Sequence, residues 1–202
     1  DGSNPVIRMK FKPTKNQTIR ARLQEDPSGG VMGGIDYDPT SDPVQQVLVD
    51  ATSVPSIETN PLQEHWHGRC WVAPKGAVRN TRIWLNKTIN EYRNGYIDSF
   101  VFFTSASEII RATPVIWDYP CCIPFRRVKQ LRATSNGFES VCPSTWNILV
   151  YGPPLDATIN DIDKISLFYN TFRDIGRVIY NEYSGDSWFK DLEHYEEKRG
   201  DV

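Results

Sequence analysis

Apolar and cationic side chains alternate in two segments near the start of the chain, residues 6–12 (VIRMKFK) and residues 18–23 (TIRARL). Alternation with a period of two residues predicts half-buried strands, and the intervening PTKNQ is typical of a loop. The two strands can therefore pair as a hairpin. Its outer surface would carry five cations suited to a polyanion, which makes them candidate nucleic-acid-binding residues: Arg8, Lys10, Lys12, Arg20 and Arg22.

Further apolar segments bounded by turn residues follow along the chain. Aromatic residues make up 12% of the sequence, and it contains 14 Pro and 13 Gly, a composition that favours short strands joined by turns. We therefore predict a single all-β domain, a sandwich or a barrel. Residues 105–110 predict a short helical turn, and 186–199 have helical spacing. The strands are predicted at 30–37, 44–51, 66–73, 79–85, 96–104, 109–117, 124–133, 145–151 and 163–172.

Charge is distributed unevenly. The whole chain has a formal net charge of −2, yet residues 1–22 contain six cations and only one carboxylate, Asp1. Such asymmetry indicates either a segment that meets an anionic partner or a solvated strand. No apolar run reaches the length of about 18 residues that a membrane span needs. The sequence begins at Asp1 rather than Met, and we expect a processed or trimmed form.

Three carboxylates, Asp36, Asp38 and Asp42, lie close together in the segment GGIDYDPTSDP. On an extended strand Asp36 and Asp38 point to the same side, and the turn after them can bring Asp42 back towards both. Converging oxygen ligands suit a hard cation, so we predict a possible calcium site. A set of solvated turn residues is the alternative, because Asp favours turns for its own backbone hydrogen bonds.

Groups for catalysis or for zinc are sparse. His65 and His67 share one side of a strand with Cys70 nearby, but no fourth ligand is evident and a strand entering a core explains the pattern. No nucleophile motif surrounds any cysteine, so we expect no enzyme. The cysteines lack the spacing of a disulfide scaffold, and we expect them to be mostly reduced and buried: Cys70, Cys121, Cys122 and Cys142.

A second basic stretch occupies residues 125–132. If this stretch is a regular strand, Arg127 and Lys129 lie on one side and Arg126 on the other. The charges are then divided between two faces. We therefore do not expect a single basic patch here.

Four segments, in this order, resemble parts of the shell domain of small icosahedral virus coat proteins of the tombusvirus-like and nodavirus-like type. They are GGVMGGIDYDPTSDP, with its acidic Asp-Pro turn, the Trp-led HWHGRCWVAP, the apolar DSFVFFTSAS and the acidic-to-Tyr NDIDKISLFYNTF. Together they span residues 29–172. We expect the basic amino-terminal arm typical of that family to be missing or trimmed here, and we expect no second, projecting domain after residue 172.

The resemblance implies an eight-stranded antiparallel jelly-roll sandwich, with additional short strands and a short helical tail. It divides the chain into a basic segment at 1–28, a shell domain at 29–172 and a tail at 173–202. The implied function is a capsid protein of the virion, assembled in the host cytoplasm or nucleus. Many copies would enclose RNA or single-stranded DNA without sequence preference, and calcium at Asp36, Asp38 and Asp42 would join neighbouring subunits.

Two other classes of function stay open. A carbohydrate-binding or adhesion β-sandwich would use its tryptophans as a sugar platform, and the acidic cluster would hold calcium. A hydrolase on a sandwich scaffold is the third alternative, for which no nucleophile, base and stabiliser converge. The candidate sugar platform consists of Trp66, Trp71, Trp84 and Trp117.

Overall fold

The computed structural model describes residues 19, 31–41, 51–56, 58–134, 137–154 and 160–180, and only their backbone at 130–134, 137–139 and 160–163. The strands are β1 Arg69–Val72, β2 Ser99–Thr104, β3 Cys121–Pro124, β4 Gln130–Thr134, β5 Gly137–Val141, β6 Ile148–Gly152 and β7 Gly176–Ile179. The helices are α1 Val78–Arg93, α2 Ile109–Ala112 and α3 Asn160–Phe172, with a 3-10 turn at Pro114–Asp118.

Five strands form a mixed sheet in the order β1-β2-β6-β3-β7, and β4 pairs with β5 in a separate hairpin. β1 and β2 are parallel and are joined by α1, whereas the other neighbours in the main sheet are antiparallel. The carboxyl ends of β1, β2 and β3 therefore emerge at one end of the sheet, where β6 and β7 begin. We call it the carboxyl end of the sheet.

Tyr37 extends this sheet beyond β1. It forms parallel bridges with Cys70 and with Ser53. The amide of Tyr37 donates to the carbonyl of Arg69, and the carbonyl of Tyr37 accepts from the amide of Trp71 at 3.1 Å. The segment 31–41 thus lies along the outer edge of β1.

The core occupies both faces of the sheet. All six residues of β2 are buried, and their side chains alternate between the faces. Phe100 and Phe102 pack in a cluster that includes Leu85 of α1, whereas Val101 belongs to the opposite cluster with Phe168 of α3. A sheet covered on both faces explains the continuous apolar sequence SFVFFT.

The all-β jelly roll is therefore wrong, because the chain has an α/β architecture. The strands predicted at 66–73 and 96–104 contain β1 and β2, and the one predicted at 145–151 contains β6 except for its last residue, Gly152. The strand predicted at 79–85 lies within α1, and the one at 163–172 lies within α3, so NDIDKISLFYNTF is a helix and not the last strand of a sandwich. Residues 109–117 form α2 and most of the 3-10 turn.

Helical burial explains these differences. Leu85 and Ile89 are both buried in α1, four residues apart, and so are Phe168 and Phe172 in α3. A four-residue spacing places both side chains of a pair on the same helix face. The β-branched and aromatic residues of these segments favour strands locally, but packing against the sheet selects the helix.

Several predictions concern parts of the chain outside the described residues. They are the hairpin at 6–12 and 18–23 apart from the buried Ile19, most of the strand at 44–51 and the helical tail at 186–199. The division at residues 28 and 172 stays a prediction, although the chain after residue 172 continues in the main sheet as β7. No helix in the described ranges is long and apolar enough to cross a membrane.

Candidate functional site

Asp36 of the predicted calcium cluster is bound to a side-chain cation. Its Oδ2 accepts from Arg69 Nε at 2.7 Å, its Oδ1 accepts from Arg69 Nη2 at 2.7 Å, and Oδ2 also accepts from the Arg69 amide. These bonds from Arg69 hold the pKa of Asp36 below its usual value. Asp36 therefore fastens the segment 31–41 to the start of β1.

Asp38 has a different environment. It is 1% exposed, and its carboxylate accepts hydrogen bonds from the Thr40 amide and hydroxyl and from the Ser41 hydroxyl. Burial raises the pKa of Asp38 despite these bonds. Asp36 and Asp38 thus perform separate structural tasks, and Asp42 lies outside the described residues. Calcium binding by the three stays a prediction. Among the residues that the structure describes, no group of three or more His, Cys, Asp or Glu could hold a metal ion.

His65 and His67 are exposed on either side of the buried Trp66. His65 stacks on Tyr96, with ring centroids 3.8 Å apart, and its Nδ1 lies 3.3 Å from both Glu91 oxygens. The Nε2 of His67 lies 3.2 Å from the hydroxyl of Ser53, on a different segment. The two imidazoles therefore have separate sets of partners.

The Ser53 and His67 contact is a poor nucleophile pair. The Ser53 hydroxyl donates its proton to the carbonyl of Asp36 at 2.9 Å. A hydroxyl has a single proton, so in this arrangement His67 donates to Ser53 and cannot accept from it. A general base for Ser53 would need the opposite direction of proton transfer.

The cysteines are all free, as predicted, and three are buried, whereas Cys142 is exposed. Burial raises the pKa of Cys121 and Cys122 to about 12 and raises the pKa of Cys70 as well. A neutral thiol is a weak nucleophile, so the three buried cysteines are structural.

The four tryptophans predicted to form a sugar platform do not share one exposed surface. Trp66 and Trp71 are buried in clusters on opposite faces of the sheet, and Trp84 is partly buried. Trp117 is 39% exposed. Sequence reasoning missed a different aromatic pair, Phe125 and Trp146, which are exposed by 60% and 44%.

These two aromatic residues lie on neighbouring loops at the carboxyl end of the sheet. The loop 125–129 follows β3, and the loop 142–147 precedes β6. Trp146 Nε1 donates to the carbonyl of Pro124 at 2.6 Å, and Arg127 Nη1 donates to the carbonyls of Pro143 and Ser144 at 2.9 and 3.1 Å. These bonds hold the two loops together.

A buried hydrogen bond also holds these two loops together. Val128 is buried in the core, and its amide donates to Oδ1 of the fully buried Asn147 at 2.5 Å. The neighbours of Val128 are therefore held outward in a defined position. We use the name aromatic–basic surface for Phe125, Arg126, Arg127, Lys129 and Trp146.

The three cations of the aromatic–basic surface are exposed. None of Arg126, Arg127 and Lys129 forms an ion pair with an acidic residue in the described ranges. Residues 119–155 contain four cations and one carboxylate, Glu139. The expected division of these charges between two strand faces is wrong, because 125–129 is a loop between β3 and β4.

The aromatic–basic surface combines two kinds of binding group. Phe125 and Trp146 offer flat apolar rings to solvent, and rings of this kind can stack on other flat groups. The cations beside them attract negative charge and form hydrogen bonds with phosphate oxygens. A ligand that carries both flat rings and phosphates matches this arrangement.

Comparisons with known proteins do not assign the chain. No family model matches it, and no curated protein matches it. A crystal structure of Thermoplasma acidophilum 1320 is similar over 70% of this chain and 98% of its own length, with 12% sequence identity and a TM-score of 0.35. A TM-score this low carries no argument about fold or function.

Proposed function

We propose that this domain binds single-stranded nucleic acid without sequence preference through the aromatic–basic surface. The proposal rests on one observation, the exposure of Phe125 and Trp146 beside three cations without acidic partners among the described residues. Bases stack on aromatic rings whatever their identity, and cations bind the phosphates between them.

The same observation favours a single strand over a duplex and over a neutral sugar. Bases inside a duplex are already stacked on each other, so they cannot reach Phe125 or Trp146 without unpairing. A neutral sugar would make no use of the positive charges of Arg126 and Lys129. Single-stranded nucleic acid uses both groups at once.

The expected strength follows from general values for such contacts. Each base that stacks on an aromatic side chain contributes about 1–3 kcal/mol. Each cation on a phosphate contributes about −0.7 to the slope of log K against log salt for a single strand, so the three cations together contribute about −2. Binding will therefore weaken steeply as salt rises.

The test is fluorescence anisotropy with a labelled oligothymidylate of about 16 nucleotides at low salt. We expect Phe125→Ala and Trp146→Ala each to weaken binding by roughly 5-fold to 150-fold, which corresponds to one lost stacking contact. Trp146→Phe keeps a ring but loses the hydrogen bond to Pro124, and it should retain most of the affinity. This variant separates stacking from loop structure.

The matched control is Trp117→Ala. Trp117 is also exposed, but it lies in the 3-10 turn that leads to the start of β3, at the opposite end of the sheet. Its removal should leave binding unchanged. The proposal fails if the unmodified protein does not bind the oligonucleotide at low salt, or if Trp117→Ala weakens binding as much as Trp146→Ala does.

The coat-protein function implied by the resemblance stays a separate proposal. The jelly roll that suggested it is wrong, so assembly needs evidence of its own. Nucleic-acid binding would be one part of that function, because a shell must screen the phosphates it encloses. Light scattering with and without a calcium chelator is the direct measurement, and a uniformly small particle in both conditions would argue against it.

A further inference from the structure

A second basic group lies outside the aromatic–basic surface. Lys75, Arg79 and Arg82 are all exposed, and none of them forms an ion pair in the described ranges. Between Trp66 and Asn90 the sequence contains five cations and no carboxylate. This group is therefore not neutralised by its neighbours in the sequence.

Helix geometry places two of these cations together. Arg79 and Arg82 are three residues apart on α1, so they lie on the same side of the helix. Ile83, beside Arg82 in the sequence, is 48% exposed. The start of α1 thus offers cations and an apolar side chain together, as the aromatic–basic surface does.

Both basic groups lie at the carboxyl end of the sheet. Lys75 follows β1, and α1 starts shortly after it, whereas the aromatic–basic surface follows β3. In the sheet order, β2 and β6 separate β1 from β3. Three strand spacings amount to roughly 14 Å.

A hydrogen bond joins the loop of the aromatic–basic surface to the connection that follows β2, which lies between the two basic groups. The hydroxyl of Thr145, beside Trp146, donates to the carbonyl of Ser105 at the end of β2. One exposed carboxylate, Glu108, follows on the same connection. A ligand that crosses from one group to the other would meet their six cations and Glu108, whereas the exposed Asp174 lies just before β7, on the far side of the aromatic–basic surface.

We propose that one nucleic-acid strand crosses the carboxyl end of the sheet, from the aromatic–basic surface to the basic group of Lys75, Arg79 and Arg82. This inference rests on the proposed function and adds the path and the length of the bound strand. Within a duplex each strand advances about 3.4 Å per nucleotide, and at that spacing a path of roughly 14 Å spans about four nucleotides. This length is at the lower end of known single-strand sites.

The experiment compares a trinucleotide with an oligothymidylate of about 16 nucleotides, using the full chain and the double variant Arg79→Ala/Arg82→Ala. The trinucleotide, followed by NMR titration, reaches only the aromatic–basic surface. We expect the double variant to bind it normally. The double variant should bind the longer strand roughly tenfold more weakly at low salt than the unmodified protein does. Its slope of log K against log salt should change from about −4 to about −3.

Two controls accompany the double variant. Trp117→Ala changes an exposed side chain at the opposite end of the sheet and should change neither measurement. Glu108→Gln removes the acid beside the path and should strengthen binding of the longer strand only. Thermal unfolding followed by circular dichroism should show that the double variant remains folded, since alanine is a strong helix former.

The outcomes separate the two proposals. If the double variant binds the longer strand with unchanged affinity and slope, while Trp146→Ala still weakens binding, the path is wrong and the aromatic–basic surface stands. If the unmodified protein binds neither oligonucleotide, the proposed function itself fails. Weaker binding of the trinucleotide by the double variant would also overturn the path, because that ligand is too short to reach α1.

Discussion

Replacing Glu91 with alanine should destabilise the domain strongly, because the Glu91 carboxylate is buried and holds two elements together. Its side chain is 4% exposed. Oε1 accepts from Lys87 Nζ at 2.7 Å, and Oε2 accepts from the amide of Trp66 at 2.9 Å. The first bond lies within α1, and the second ties α1 to the segment that enters β1.

The size of the effect follows from these two bonds. A hydrogen bond to a charged group contributes about 1.5–3 kcal/mol, and an unpaired buried amide costs about 1–3 kcal/mol. The contact with the exposed His65 adds little. We therefore expect Glu91→Ala to lower the free energy of unfolding by about 3–5 kcal/mol. Glu91→Gln keeps an acceptor for the amide of Trp66, so it should lose only about 1.5–3 kcal/mol.

Urea unfolding at neutral pH, followed by tryptophan fluorescence, gives the free energies. A double-mutant cycle with Lys87→Met isolates the ion pair and should show a coupling of about 1–2 kcal/mol. Thr88→Ser serves as a mild control on the same helix. A loss below about 1 kcal/mol for Glu91→Ala would refute the reasoning, because it would mean that the carboxylate carries no buried bond.

Two further predictions concern protonation and thiol reactivity. For Glu91, burial raises the pKa but hydrogen bonds from Lys87 and the Trp66 amide outweigh it, so its pKa and that of Asp36 are lowered in the folded state. Both carboxylates therefore stabilise the fold above their unfolded-state pKa near 4, and this contribution is lost as pH falls through their lower folded pKa values. The midpoint of urea unfolding should drop in that pH window, and it should drop less in Asp36→Asn than in the unmodified protein. An equal drop in the variant and the unmodified protein would contradict the assignment. In the native protein the exposed Cys142 should react with a thiol reagent at once, whereas the three buried cysteines should react only as fast as the chain unfolds. Rapid labelling of all four would contradict the burial of Cys70, Cys121 and Cys122.

The central strands were predictable from the sequence because their apolar runs are short and bounded by turns. SFVFFT is apolar almost throughout, so β2 could be located without knowing what covers it. The same sequence could not reveal that helices cover both faces. A buried sheet in an α/β fold and a strand in a sandwich core look alike at this length.

The sequence does not reveal α1 because the segment 79–85 is too short to show a helical period. Within residues 79–85, Thr81, Ile83 and Trp84 favour a strand, and the helical spacing of Leu85 and Ile89 appears only when the window extends beyond residue 85. The segment 163–172 already contains both Phe168 and Phe172, so for α3 the local strand preference of its aromatic and β-branched residues outweighed their four-residue spacing. For α1, a longer window was the available signal.

The aromatic–basic surface could be predicted only in part. The cations of residues 125–132 were recognised, but treating them as a strand divided them between two faces. The prolines at 120 and 124 signalled a break before Phe125, and they could have separated the loop from β3. The proximity of Trp146 depends on hydrogen bonds between distant loops, which no local pattern records.

Tyr37 determines how the sheet ends on the side of β1. An uncovered strand displays amides and carbonyls that can pair with any other exposed strand, including one from a second molecule. The bonds between Tyr37 and the backbone of Arg69 and Trp71 occupy those groups along part of β1. A protease cut within residues 31–41 would therefore uncover an adhesive edge, and the first sign of such damage should be aggregation of the domain and not loss of its core.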